Sequence, residues 1–285
     1  MAIKDHRMMV SRTLSATLLA VTFSLFGTSA FAAGITIVNW GFEDPVSAPL
    51  DDGDFRYEVP NGWTAYDPVP EYCPCPGDSG FTTPWYNLGT INPDGTTYSD
   101  DAPEGDNVGF VYIGVGDGAG FHPDYPLGLQ QTLSTTLQAN SKYKLEVEVG
   151  NAADSAYEDF TGFGGYRIEL LAGDIVLDVF HETTASPDDG FFEMASISVV
   201  TGDLVNGSIA VGSDLILASA LLGIRLIHEN DANFSNLDDW ASEIAFDDVQ
   251  LSVSAVPVPA AAWLFGTALI GLVGFGKRRK TAQPA

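Results

Sequence analysis

The sequence predicts an all-β chain whose central part is an antiparallel β-sandwich, and three observations carry that prediction. In Lys142-Tyr143-Lys144-Leu145-Glu146-Val147-Glu148-Val149 every odd position is apolar and every even one is charged. That alternation marks a half-buried strand with one wet face. Similar segments recur at short spacing between Gly, Asp and Pro turns. No long stretch between the two ends sustains helical periodicity. With 285 residues, 45% of them hydrophobic and 11% aromatic, the chain can bury a full core.

The elements follow in order. Twelve of the sixteen prolines fall between Pro45 and Pro126, so that part is expected to be loop-rich with few regular strands. Strand candidates then cover 108–113, 129–137 and 142–149. Tyr166, Ile168 and Leu170 repeat the alternation, and Ala172-Gly173-Asp174 turns the chain into a strand over 175–179. Further candidates are 191–200, 221–227 and 243–253. The last one slips in phase: Ile244 and Phe246 share one parity, whereas Val249, Leu251 and Val253 share the other. A bulge at Asp247-Asp248 lets both sets face the core.

The two ends read as addresses. Lys4, Arg7 and Arg12 precede an uncharged stretch over 13–33 that contains Ala30-Phe31-Ala32. A basic start, an apolar middle and a small-x-small end read as a signal peptide over 1–32, with signal peptidase as export partner. The alternative is a short N-terminal anchor. At the other end Val256-Pro257-Val258-Pro259 leads into an uncharged apolar run over 260–276, stopped by Lys277-Arg278-Arg279-Lys280. Seventeen helical residues rise about 25 Å, the lower limit for crossing a bilayer. The four cations would stay cytoplasmic, leaving the central domain, 33–255, outside.

Residues 256–280 resemble the PEP-CTERM sorting signal, with Val258 where the name-giving form has Glu and with Ala261-Ala262-Trp263-Leu264 following. The resemblance implies export in a Gram-negative bacterium that makes exopolysaccharide. It also implies an exosortase partner, a membrane-anchored intermediate, and a final place at the cell surface or in the matrix.

Residues 33–255 hold five cations and 37 acids, a formal charge of −32. Such a surface suits divalent cations and solubility. It excludes a general binder of phosphate backbones, so no nucleic-acid partner is expected. There is no Gly-x-Ser-x-Gly, His-Glu-x-x-His or phosphate loop, so a non-catalytic role is expected. Asp51-Asp52-Gly53-Asp54 lacks a twelfth-position Glu and reads as an acidic turn. Cys73-Pro74-Cys75, on an oxidising exported side, reads as a small loop disulfide. Trp85 with Tyr86, and Trp240, lie in loop-like stretches. They are either stacking residues for a sugar ring or buried loop anchors. Trp63 reads as core.

A second resemblance lies within the central domain. Asn39-Trp40-Gly41-Phe42-Glu43, Val59-Pro60-Asn61-Gly62-Trp63 and the closing Asp247-Asp248-Val249-Gln250-Leu251 are similar to landmarks of galactose-binding-like jelly rolls, which include carbohydrate-binding modules. That resemblance implies a jelly roll and a structural Ca2+ between the first and last strands, held by Glu43 and by Asp247 or Asp248. Hard carboxylate oxygens suit that ion. The resulting expectation is an exported surface or matrix protein associated with exopolysaccharide, with carbohydrate binding as its activity. The alternatives are an anionic structural matrix protein without a sugar site, and a secreted glycan-active hydrolase.

Overall fold

The computed structural model describes residues 32–68, 88–99, 101–115, 126–153, 164–182, 187–229 and 240–256. The proline-dense part contributes only short strands: β1 (Ala33–Ile35), β2 (Phe55–Arg56), β3 (Thr64–Tyr66) and β4 (Leu88–Ile91). Long strands follow where the alternation is clean: β5 (Val108–Val115), β6 (Leu127–Thr136), β7 (Ser141–Asn151), β8 (Tyr166–Ala172), β9 (Ile175–Glu182) and β10 (Phe192–Val200). Three short strands come next, β11 (Leu204–Val205), β12 (Ser208–Val211) and β13 (Asp214–Leu217). The chain ends on β14 (Leu221–His228) and β15 (Trp240–Ala255).

Two antiparallel sheets face each other. One runs β10-β7-β15-β5-β4-β2, with β1 added along β15, and the other runs β3-β6-β14-β8-β9. The buried parity of β7, Tyr143, Leu145, Val147 and Val149, meets Ile168 and Leu170 of β8 and Ile224 and Leu226 of β14 in one core. Charged residues of β7 occupy the other parity, so removal of apolar surface from water selects the face. The all-β antiparallel sandwich is therefore present. No helix among the described residues is long and apolar enough to cross a membrane, and the 260–276 segment lies outside the described residues.

Two local expectations differ from the structure. The opening stretch around Asn39 and Glu43 is a turn: Phe42 N donates to Asn39 O at 3.2 Å, and both residues have positive φ. The strand that pairs with β15 lies earlier, at β1. The second difference is the small β11-β12-β13 sheet, which places Ile209, Val211 and Ile216 in the main core. The bulge in β15 lies where the phase slip predicts it. Pairing with β7 shifts register between Asp247 and Gln250, Asp248 has φ +43°, and Phe246, Val249 and Leu251 all reach the core.

Candidate active site and a neighbouring carboxylate cluster

The outer face of the larger sheet is the chemically distinctive part of the molecule. Register aligns Phe192, Gly150, Ala245, Phe110 and Gly89 in a single row across β10, β7, β15, β5 and β4. Bulky rings alternate with minimal side chains. A Cβ on Gly150 would lie 2.5 Å from the Phe192 ring, so the small residue lets the ring lie across the strand. Tyr98, on the connection between β4 and β5, covers this face with its ring 4.9 Å from that of Phe192. Ile91, Val108, Ala152 and Tyr112 complete the apolar patch. Tyr57 sits edge-on to Phe110 at 5.5 Å.

Glu243 lies on this covered face, opposite Tyr112 in the β15–β5 register. It is 6% exposed, and Tyr98 is fully buried. The Tyr98 hydroxyl donates to Glu243 Oε1 at 3.1 Å. None of the ion pairs among the described residues includes Glu243. Burial pushes its carboxyl up to about 7, against the smaller opposing effect of the Tyr98 bond. Near neutral pH it holds a transferable proton in water-poor, aromatic surroundings. His228 is also buried but serves differently. Burial drives its imidazole down to about 3 while it bonds to the Ser242 backbone, so it stays neutral.

Further along the same face, the chain folds acids against one another. Glu43 Oε1 accepts the amides of Asp106 (2.9 Å) and Asn107 (2.7 Å), and Oε2 accepts Asn107 Nδ2 at 2.9 Å. Gly105 has φ +67°, and a Cβ there would lie 2.4 Å from the Glu43 carboxyl carbon, so only glycine passes. Asp247 Oδ2 accepts the Glu104 amide at 2.7 Å. Its Oδ1 is buried with no hydrogen-bond partner. A Cβ on Gly41 would meet Glu104 Oε2 at 2.1 Å and Asp247 Oδ1 at 3.7 Å, so these two carboxylates converge over Gly41. Burial pushes Asp247 up to about 8, against the lowering effect of the Asp248 and Glu104 amides and with smaller raising effects from the Glu104 and Asp248 charges. Glu104 is raised by burial and by the charges of Glu43 and Asp248. Orphaned oxygen and mutual repulsion are what a bound cation would relieve. The acids do not already form a coordination shell: among the described residues no three His, Cys, Asp or Glu side chains are arranged to hold a metal.

Of the residues singled out from sequence, Glu43 and Asp247 come together on the 104–107 segment. Asp248 turns aside, and its two oxygens accept Gln250 Nε2 at 2.8 and 2.8 Å. Trp63 is buried and stacks on Phe42 at 5.3 Å. The backbone of Trp240 opens β15 opposite Val115. Trp85, Tyr86, Cys73 and Cys75 lie outside the described residues, as do Pro257, Val258, Pro259, Lys277, Arg278, Arg279 and Lys280. Val256 ends the described chain, donating to Asn140 O at 2.8 Å. Sequence reasoning missed Tyr98 and the importance of Glu243. The one available signal was a strand acid at outward parity on a face also carrying Ala245, Phe110 and Phe192.

Residues 33–252 match the HpiC1-like family, described as HpiC1 cyclase. The chain is also similar to the Stig cyclase Fisc from Fischerella sp. TAU, solved with (3Z)-3-(1-methyl-2-pyrrolidinylidene)-3H-indole. Identity is 30%, over 80% of this chain and 100% of that one, with a TM-score of 0.59. A cyclase from Fischerella sp. TAU in complex with 4-(1H-indol-3-yl)butan-2-one is 29% identical over 79% of this chain and 100% of that chain, at a TM-score of 0.55. No curated protein matches.

These matches correct the earlier family and function readings. The Glu43 turn and the closing Asp-Asp-Val-x-Leu strand did not identify a galactose-binding-like or carbohydrate-binding family, since the stretch that contains both matches the HpiC1-like family. The matched family is not a PEP-CTERM one, and nothing in the comparisons supports the sorting-signal, membrane or exopolysaccharide readings. The non-catalytic matrix role and its two alternatives fall with them, because the family is one of cyclases. The absence of local catalytic motifs does not exclude an enzyme, because a carboxyl can gain acid–base function from an apolar setting that tertiary cover creates without a local motif. With the match spanning most of the described domain, the chain belongs to the HpiC1-like cyclase family.

Proposed function

We propose that the protein is a cyclase in which Glu243 is the general acid and Tyr98 its hydrogen-bonding partner, acting on a small, unsaturated, indole-bearing compound. The observation that carries this reading is the buried carboxyl, held up to about 7 and bonded to a buried tyrosine on an aromatic face. The indole compounds in the Fischerella structures support the substrate class.

The chemistry balances without a co-reactant. Glu243 donates its proton to an unsaturated carbon of the substrate. A neighbouring π bond attacks the cationic carbon and closes a carbon–carbon bond. Loss of a proton from the ring system to the Glu243 carboxylate restores the acid and yields an isomer of unchanged mass. The Tyr98 hydroxyl stabilises the carboxylate that exists in between. Phe192, Phe110 and Tyr112, clustered on the same face, would supply π density near the positive charge.

The carboxylate cluster would hold Ca2+ through Asp247 Oδ1 and Glu104, with Glu43 ordering the adjoining turn. Its contribution is to neutralise acids that otherwise repel. The protein is also proposed to be exported, on the basic, apolar and small-x-small order of residues 1–32. Fractionation with and without that segment tests this.

The test of the activity is incubation of the purified protein with indole compounds bearing unsaturated side chains, with chromatography for a product of equal mass. Glu243→Gln is expected to slow its formation by about 100-fold or more, the range for a lost acid, and Tyr98→Phe by less. A Glu243→Gln variant that cyclises at the wild-type rate overturns the assignment.

A further inference from the structure

One connection touches both groups of acids. Residues 92–99 and 101–107 join β4 to β5 across the outer face of the larger sheet. The first half is anchored around Tyr98. Asp94 Oδ1 accepts the amides of Thr96 (2.9 Å) and Thr97 (3.1 Å). Thr97 O accepts the Ala153 amide at 2.9 Å, and the Ser99 amide donates to Gly190 O at 2.7 Å. The second half is held by carboxylates, the Glu104 amide on Asp247 and the Asp106 and Asn107 amides on Glu43. Glu243 and Asp247 share one parity of β15, on the order of 13 Å apart at the usual strand rise. Only five residues separate Tyr98 from Glu104 along the connection. One strand thus supplies the seat for both ends of that short span.

We infer that Asp247 is a positioning residue for Tyr98: by fixing the Glu104 amide on the strand that carries Glu243, it sets where the Tyr98 hydroxyl meets the acid. Two details favour this over simple edge packing. The Asp247–Glu104 and Tyr98–Glu243 bonds both run from this one connection to β15, so the connection is stitched to the same strand twice. Asp247 is also completely buried, and a buried carboxylate acceptor is costly to keep unless its bond is needed. The functional meaning rests on Glu243 being the acid, but the geometry does not.

The experiment is therefore free of substrate. Amide hydrogen exchange and a carbon-13 titration of the Glu243 carboxyl, assigned with Glu243→Gln, are compared in wild type, Asp247→Ala and Asp247→Asn. Asp247→Ala is expected to speed exchange at Glu104 and Ser99 together, by tenfold or more, and to lower the Glu243 midpoint as water reaches it. Asp247→Asn keeps an oxygen for the Glu104 amide and is expected to restore both. Faster exchange at Glu104 alone, with Ser99 and the Glu243 midpoint unchanged, overturns the inference. If Asp247→Ala does not fold, the wild type decides. Amides of Ser99, Glu104, Asp106 and Asn107 should open as one unit with a common denaturant response, and separate responses overturn it. Failure of Glu243→Gln to affect cyclisation would sink the acid assignment and leave this coupling standing.

Discussion

A carboxyl kept protonated by burial leaves a signature in stability as well as in chemistry. Glu243 is raised from 4.5 to about 7 in the folded protein. The unfolded chain loses this proton first, so the native advantage is fully present below about pH 4.5 and drains away as pH rises through 7. At about 1.36 kcal/mol per unit the whole effect is on the order of 3 kcal/mol. His228 has the opposite sign. Its depressed imidazole contributes stability above its ordinary 6.5 that is lost as pH falls toward about 3. The two slopes overlap, so the wild-type profile alone is not diagnostic. The difference between Glu243→Gln and wild type isolates the acid. Urea unfolding at several pH values is expected to show the variant gaining on wild type by about 2–3 kcal/mol between pH 4.5 and 7.5. A constant difference would mean that Glu243 is not raised.

At the scale of the element, β15 shows what the bulge is for. Asp247 pairs with Glu148 and Gln250 with Glu146, so two residues of β7 are spanned by three of β15. Removing Asp248 would leave a regular strand with Ile244, Phe246, Val249, Leu251 and Val253 on one parity. The core does not require the extra residue. Deletion of Asp248 is therefore expected to leave the protein folded, at a cost of about 1–2 kcal/mol, while the Asp247 geometry is lost. An alanine inserted after Asp248 also puts those five residues on one parity, but it slides Val249, Leu251 and Val253 two residues along β7 and is expected to cost more than about 3 kcal/mol. Denaturant midpoints for the pair check this. If deletion unfolds the protein as readily as insertion, the bulge is a packing requirement after all. The phase slip made this bulge legible in the sequence, as the strict alternation did for β7, β8 and β10. The β11–β12 hairpin was not anticipated, although Asn206-Gly207, with φ +53° and +83°, is a two-residue turn signal between apolar runs that could have found it. The candidate acid was not legible. Glu243 and Glu148 are both acids at outward parity on long strands. What separates them is Tyr98, 145 residues from Glu243 in the chain, and no local pattern encodes which outward face another segment will cover.

At the scale of the whole molecule, charge is the dominant unbalanced quantity. Residues 33–255 carry 37 acids against five cations. Arg167 is bound to Glu169 and Glu229, Arg225 to Glu169, Arg56 to Asp54 and Lys144 to Glu146. Four of the five cations are thereby committed to carboxylate partners, and the acids far outnumber them. Self-repulsion of this kind weakens the compact state and is screened by salt. Raising NaCl from about 0.05 to about 0.5 M is expected to raise Tm by several degrees. A site at Asp247 predicts something screening cannot supply. At matched ionic strength, millimolar Ca2+ should add a further rise that grows with the logarithm of its concentration, about 2.7 kcal/mol at a hundred times Kd. Asp247→Asn, which keeps an acceptor but loses the charge, should abolish that increment and retain the NaCl response. Equal Tm values for Ca2+ and NaCl at matched ionic strength would reduce the carboxylate cluster to ordinary surface repulsion, with Asp247 left to its hydrogen bond alone.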